Sequence, residues 1–478
     1  MRAALALGVL GSLTVLGCGG RMRAPLPPPP ARLVATAPDV FAEPPVASSG
    51  TRPPTLPEVV EHVLPNGMRL FVVVDTDMPL VSVVYASNAG GANDRDVTAG
   101  IDELLERALE RRVADLDNGR PEVGIYSYGA MVWGSGATLF TTQIMGAISG
   151  IVRSPVLDEE LVRTERRHLA DEIVDSSHSY GVRVRDVHER TLIYGARDPR
   201  ARPWYGDLDE FRALEASDLT ARHHALFGPD TSALVVVGDV VAEEIRRTFE
   251  MMFASWSTPA VRGTPLPPAT FPTPSARLHA FPVSGPATIA LRERAPTRPH
   301  PDRAAFEVAT AMLGGMFGSR INRVLREERG HTYGVHATLN DYRDYAILEI
   351  DLALPSSHVR QTVFDVIAEL RRVQDASALG EDELAAARAT AIASYRRRLD
   401  TRTDQAWLLA VLFMRGETLE AWGAHAASIE NVTAADVARV ASAWLRPDAA
   451  PILVSGEYLR MMELGMFIPG GAELVLEH

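Results

Sequence analysis

Two imidazoles one helical turn apart can bind a divalent metal through neutral nitrogen lone pairs, and a carboxylate between them can act as a base on metal-bound water. The chain has 13 His, yet none stands in an H-E-x-x-H or H-x-x-E-H arrangement. His223 and His224 are adjacent, so on a helix they point about 100° apart and make poor joint ligands. His168 stands one turn before Glu172, where contact with solvent or packing is the simpler reading beside a place in a cleft. Glu103 and Arg107 have the i,i+4 spacing of a helix-surface ion pair, worth roughly 0.3 to 0.5 kcal/mol. The basic run Arg396-Arg397-Arg398 lies between Tyr395 and Leu399 inside a helical pattern and reads as a solvated helix face. The single cysteine, Cys18, rules out an intrachain disulfide.

The elements that must position these groups are legible in the apolar periodicity. Arg69 to Val74 and Leu80 to Tyr85 read as two strands around a turn that contains Asp75, Asp77 and Pro79, and helical patterns run from Ile101 to Arg112 and from Glu159 to Val174. The two halves resemble each other. Ser217 through Asp230 leads into the apolar run Ala233 to Gly238, and Ala435 through Asp448 leads into Pro451 to Gly456, each as helix, Pro-Asp turn and buried strand at a constant offset of 218 residues. Upstream, Val156 to Leu161 and Ala378 to Leu384 each open a long helical pattern with acids in the first turn, where the helix dipole favours them. A repeat of this length points to duplication rather than to a short-period solenoid. Helices packed on one face of a mostly antiparallel sheet, in each of two homologous domains, make the expected fold class α+β.

With 478 residues and 46% hydrophobic content the chain can fill a core in each of two or three domains. A net charge of −13 argues against nucleic acid as the main partner, which would require clustered Lys and Arg. Met1-Arg2, the apolar stretch Ala3 to Leu16 and the small residues around Cys18 have the layout of a secretory signal, too short for a permanent membrane span. Val15-Leu16-Gly17-Cys18 resembles the lipobox of bacterial lipoproteins, which implies cleavage before Cys18 and acylation of its thiol. Residues 21–57 are rich in Pro, Ala and Ser, a composition that favours extended polyproline geometry. The expected organisation is a signal peptide over 1–17, a Pro-rich tether over 18–57, domains over 58–257 and 275–478, and a linker over 258–274. No later apolar segment is long enough to span a bilayer, so the folded body should be soluble and tethered. Gly19 after Cys18, instead of Asp, leans by resemblance towards the outer membrane and a periplasmic face of the cell envelope.

Leu64-Pro65-Asn66-Gly67-Met68-Arg69, the paired strands and the segment Asn88 to Asp94 leading to Ala99-Gly100 resemble the opening of the insulinase/pitrilysin family, with its bacterial processing-peptidase-like members. The stronger signal is Ala311 to Ile321 running into Val324 to Val335. Taken in order, the similarity covers nearly everything from about Pro57 to Glu457, and it implies two domains that form half of a clamshell closing around extended peptides. The family's zinc chemistry uses H-x-x-E-H, with a further Glu from a later helix. Here Glu103 and Arg107 stand where the family has its histidines, Glu106 matches the general base and Glu172 the distal carboxylate. Arg107 has no lone pair to give and its charge repels a dication. The expectation is that it lies close to Glu172 or Glu103 and neutralises leftover carboxylates, beside the plainer reading of a surface pair.

The family's substrate-binding Arg and Tyr are matched by Arg326 and Tyr333, a pair able to hold a peptide carbonyl in the manner of an oxyanion hole. The plainer alternative is local capping by Arg326 and gap filling by Tyr333. The combination implies a non-catalytic, membrane-tethered subunit of a heterodimeric zinc peptidase, without a cofactor of its own and with zinc in a homologous partner. Two other readings stay open: an envelope scaffold that binds peptide without cleavage, and a divergent active zinc metallopeptidase.

Overall fold

Seven consecutive residues, Ser232–Gly238, are all buried, and a strand apolar on both faces belongs inside a sheet. The computed structural model describes residues 54–89, 97–112, 121–126, 129–177, 189–260, 276–281, 285–342, 345–465 and 472–476. Cys18, the signal region, most of the tether and most of the Pro-rich linker lie outside them.

The first sheet has the order β1-β2-β6-β3-β5-β4, formed by β1 (Val60–Val63), β2 (Arg69–Val74), β3 (Leu80–Ser87), β4 (Glu122–Tyr126), β5 (Gly129–Ala137) and β6 (Ser232–Gly238). Only β2 and β6 run parallel; the other pairs are antiparallel. This corrects the expectation that β2 and β3 pair around their turn. The fully buried β6 inserts between them, so that both strands pair with an element covered on each face.

The second sheet repeats the plan in the order β12-β7-β11-β8-β10-β9, from β7 (Ala276–Phe281), β8 (Pro286–Ala295), β9 (Val335–Asp341), β10 (Ala346–Pro355), β11 (Ile452–Glu457) and β12 (Ala472–Leu476). Position by position, β7, β11, β8, β10 and β9 stand where β2, β6, β3, β5 and β4 stand in the first sheet. The place of β1 is taken by β12, which arrives from the far end of the chain and pairs parallel. The α+β class is as expected.

One face of the first sheet is covered by its own helices: α1 (Ile101–Arg112), α2 (Thr141–Arg153), α3 (Glu159–Ser177), α4 (Ala216–Leu226) and α5 (Ala242–Phe253). Leu104, Leu105, Ile148, Leu169 and Phe249 meet Leu70, Val83 and Val236 there. Val73, Val84, Ala86, Met131 and Val235 point the other way, into a cluster made with the second half. Their cover is the helix α9 (Arg402–Arg415), which lies on β3 and β6. Trp407 meets Trp133 edge-on at 4.9 Å, Phe413 tilts against Phe71, and Arg402 reaches Asp75 at 2.7 Å.

The exchange is mutual. At the 218-residue offset, residues 408–412 of that helix correspond to 190–194, and the short helix Arg190–Tyr194 packs on the second sheet. Leu192 meets Ala290 and Leu453, Ile193 meets Tyr345 and Ile347, and the hydroxyls of Tyr194 and Tyr345 are 2.5 Å apart. Arg292, buried on β8, secures this contact through Glu189 at 2.9 Å and Asp351 at 2.7 Å. Between the sheets' contributions, α6 (Arg303–Thr310), α7 (Val359–Arg372) and α8 (Glu381–Arg397) belong to the second half.

Because each sheet borrows a helix, damage to the shared layer should destabilise both halves together. Met414, 6% exposed, lies against Gly129 of β5. Met414→Ala should cost about 2 to 5 kcal/mol, and chemical denaturation followed by probes placed in each half should show one shared, lowered midpoint. Two separated transitions would contradict the interlock.

Candidate functional site

Helix α1 is held by a buried stripe, Ile101, Leu104, Leu105, Ala108 and Leu109, with the spacing of one helical face. Gly100 precedes it at φ +84°, and a Cβ there would come within 2.7 Å of the Phe211 ring, so only glycine serves. Asp102 in the first turn is gripped by the buried Arg222 of α4 through bonds of 2.6 and 3.1 Å. These constraints fix the rotation of α1 and turn Glu103, Glu106, Arg107 and Glu110 away from the core. Helix α3 buries Val162, Leu169, Ala170 and Ile173, which leaves Glu172 on the face towards α1.

Arg107 brings the matched positions together. Its two terminal nitrogens each donate to one oxygen of Glu172 at 2.8 Å, and its Nε donates to Glu103 at 3.2 Å. The expected neutralisation and the plainer i,i+4 pair are therefore parts of one arrangement. The hydrogen bonds from Arg107 hold the Glu172 carboxyl below the usual carboxylate range, and Glu172 in turn raises the Arg107 pKa. Glu172 is 58% exposed, so solvent screening keeps the pair's stabilisation to about 1 kcal/mol or less. The resemblance implies a zinc ion at this place, and the residues present do not fit one. A guanidinium occupies both oxygens of the carboxylate that would ligate, and neither flanking position offers an imidazole. Among the described residues, no group of three or more His, Cys, Asp or Glu is arranged to hold a metal ion.

Glu106 has a different task from the base it matches. Its Oε1 accepts the backbone N–H of Ile125, while Glu110, one turn on, accepts the N–H of Val123 at 3.0 Å. Both donors are on β4, the edge strand, and they alternate with the residues that bond β5. Sequence reasoning missed this role for Glu110; the only signal was its spacing of one turn from Glu106. Burial pushes the Glu106 carboxyl up to about 8, assisted by the charges of Glu103, Asp102 and Glu110 against the Ile125 bond, so near pH 7 it is mostly protonated and a poor base.

Of the histidines singled out by sequence, His223 has a structural place. His223 is buried, its Nε2 donates to Ile151 O at 2.8 Å, and burial lowers its pKa to about 4. His168 is exposed on α3.

In the second half, Arg326 lies in the wide π-type turn Arg323–Glu328, and Gly330 ends that segment at φ +65°. Two partners of the turn are buried: Arg320 forms a fork onto Glu383 at 2.7 and 2.6 Å, and Asn322 exchanges hydrogen bonds with Val335. Arg326 bonds Glu327 at 2.7 Å and lies over the Phe317 ring at 3.5 Å, so local pairing accounts for its contacts within the chain. Tyr333 fills no gap, being 99% exposed, and Phe317 is 79% exposed. The structure thus gathers Arg326, Tyr333 and Phe317 in the segment between α6 and β9, while Glu103, Arg107 and Glu172 gather on the first half. In the first half's opening motif, Asn66 donates to Phe253 O and Trp256 O at 2.8 Å and serves to anchor α5.

Two repeated α+β halves, the first joining Glu103, Arg107 and Glu172 on one helix pair, are the features to set beside known proteins. Residues 213–391 match the family model described as the Peptidase M16 inactive domain. The chain is 23% identical over 346 residues to an uncharacterized zinc protease of Streptomyces coelicolor, covering 67% of this chain and 73% of that protein. It is 26% identical over 182 residues to an uncharacterized zinc protease of Mycobacterium leprae, an alignment that spans 36% of this chain and 40% of that relative's length. Among solved structures, a peptidase M16 inactive domain from Pseudomonas fluorescens superposes with a TM-score of 0.71 at 20% identity, covering 84% of this chain and 98% of that one. A protease from Helicobacter pylori gives a TM-score of 0.71 at 16% identity, covering 84% and 100%. The chain is thus similar to M16-type peptidases in fold, and its residues 213–391 match the model of that family's inactive domain.

Two outcomes test the site. Purified protein should carry no stoichiometric zinc, whereas Glu103→His combined with Arg107→His, with Glu106 and Glu172 left in place, should take up about one equivalent; metal analysis giving equal contents would refute the blocking role of Arg107. Glu106 binds its proton more tightly folded than unfolded, so its contribution to stability is complete below pH 4.5 and is lost as pH rises towards 8. Glu106→Gln keeps the acceptor for Ile125 and should flatten that decline, gaining on the order of 1 kcal/mol over the native chain at pH 8 in denaturant titrations.

Proposed function

We propose that this chain is the non-catalytic subunit of a two-chain insulinase-like zinc peptidase. It forms part of the wall around an extended peptide and lends Arg326 and Tyr333 to the carbonyl near the bond that a homologous, zinc-bearing partner cuts. The observation that carries this reading is the pairing of a filled ligand position with an outward-facing binding pair. Arg107 fills the place that the resemblance gives to a metal on this chain, while Tyr333 is almost wholly exposed and Arg326 keeps 18% of its side chain accessible. A phenol that exposed is suited to a ligand outside its own fold. A guanidinium and a phenol O–H can donate to a carbonyl oxygen and stabilise charge developing there. The resemblance of Val15-Leu16-Gly17-Cys18 to a lipobox supports adding a lipid anchor to this reading, with the chain at the periplasmic face of the outer membrane.

The test is reconstitution with a homologous subunit that has an intact H-x-x-E-H motif. The pair should cleave peptides and hold its zinc in the partner, and the chain alone should not cleave. Arg326→Ala in the complex should lower turnover about 100-fold, Tyr333→Phe should lower it less, and neither should alter the melting temperature by more than a degree or two. Full turnover with Arg326→Ala would remove the proposed role. Stable peptide binding with no cleavage in any pairing would replace this reading with that of an envelope binding protein.

A further inference from the structure

The strand directions of the first sheet bring several chain reversals to one of its ends. β2 finishes there at Val74, β3 starts there at Leu80, and β5 and β6 finish there at Ala137 and Gly238, since Leu80 pairs with Ala137 and Gly238 pairs with both Val74 and Val81. Segments 75–79, 138–140 and 239–241 therefore lie side by side. Backbone bonds tie them: Thr138 N–H donates to Pro79 O at 3.1 Å, Asp239 N–H to Leu80 O at 3.1 Å and Asp75 N–H to Gly238 O at 2.9 Å. A Cβ on Gly238 would come within 2.3 Å of Leu80 O, so the strand ends meet without slack. β1 also starts at this end, with Val60 opposite Val72, and runs away from it. The outside of this end is apolar. Val60, Val74, Met78, Leu80, Leu139 and Val241 are between 39% and 71% exposed, and they are six of the thirteen large apolar side chains left exposed among the described residues.

Apolar side chains gathered at one end of a fold mark a contact with another apolar body, and a lipid surface takes up several loop tips together without a shaped complement. The course of the chain selects lipid here. Residues 19–53 stand between Cys18, which resembles an acylation site, and the first described residue, and the chain then enters the sheet through Val60 at this same end. A flexible tether of that order keeps its two ends at an effective concentration on the order of millimolar, so a docking too weak to detect in free solution suffices once the anchor is in place. Charge then decides the kind of lipid. Asp75, Asp77 and Asp239 stand at this end, and Arg402 pairs with Asp75 at 2.7 Å. The acids outnumber that guanidinium, so attraction rests on the apolar tips and suits zwitterionic headgroups better than an anionic surface.

We propose that this end of the first sheet docks on a membrane of zwitterionic lipid, with Met78, Leu139 and Val241 entering the headgroup region. The proposal rests on the lipid anchor of the preceding reading and adds to it an orientation of the folded body. In the full acylated chain with Leu139→Cys, the added thiol is free while Cys18 is blocked, and it is labelled with an apolar, environment-sensitive fluorophore. The labelled chain is reconstituted into phosphatidylcholine vesicles with brominated acyl chains, which quench at short range. The label at 139 should lose emission, and a label at Val63→Cys, at the far end of β1, should not. Met78→Ser with Val241→Ser, both at exposed positions, should lower the docking constant read from the quenched fraction about tenfold. An unchanged melting temperature shows that this variant is folded. No quenching at 139, equal quenching at 139 and 63, or quenching indifferent to the two substitutions overturns the proposal. So does a dimer of the chain that the same substitutions break, which assigns the end to a second copy. Mass spectrometry of Cys18 separates the docking face from the anchor. If Cys18 carries no acyl chain, the anchor reading fails alone, and the unlabelled native chain is floated with phosphatidylcholine vesicles; flotation weakened by the two substitutions keeps the docking face, and any other result removes it.

Discussion

Among the described residues, each six-stranded sheet has a face packed against a helix from the other half of the chain. That exchange ties the architecture together. That face of the first sheet, with Val73, Val84, Met131 and Val235, is closed by Arg402–Arg415 from the second half, and the second sheet receives Arg190–Tyr194 in return. Burial of apolar area at roughly 25 cal/mol per Å² makes such a layer the main adhesive between the halves. Directional contacts then fix its register: the Trp407 and Trp133 rings, the bond from Arg402 to Asp75 and the buried Arg292 with Glu189. The exchanged helix also lines a cavity of the second half with Trp407 and Arg415.

On the opposite face of the first sheet, α1 and α3 are joined by a guanidinium that draws two carboxylates together, with Arg107 between Glu103 and Glu172. A permanently protonated group of this kind neither ligates a metal nor activates water. Glu106 follows the same logic. Burial leaves it mostly protonated, and it serves as an acceptor for the β4 edge together with Glu110. Covering those N–H groups protects an edge strand that would otherwise be open to pairing.

The second half shows the reverse balance, with charged and aromatic groups left outward. Arg320 and Asn322, both buried, brace the turn that carries Arg326, and Tyr333 follows it almost wholly exposed.

By itself the sequence determined the elements and much of the chemistry. Helix Ile101–Arg112 follows from its apolar stripe, the repeated helix, Pro-Asp turn and strand follow from the 218-residue offset, and Arg107 with Glu103 follows from opposite charges one turn apart, whereas its meeting with Glu172 was implied only by the family resemblance. Periodicity within a segment and the charge of a side chain are local properties, which is why they could be read there. Only the tertiary structure decided that β6 separates β2 from β3, that the halves trade helices, that Glu106 and Glu110 bond a strand edge, and that Arg397 and Arg398 border a cavity with Arg298, Arg303 and Arg415. Those outcomes depend on which apolar surface covers which other across tens to hundreds of residues, and no short-range pattern carries that information.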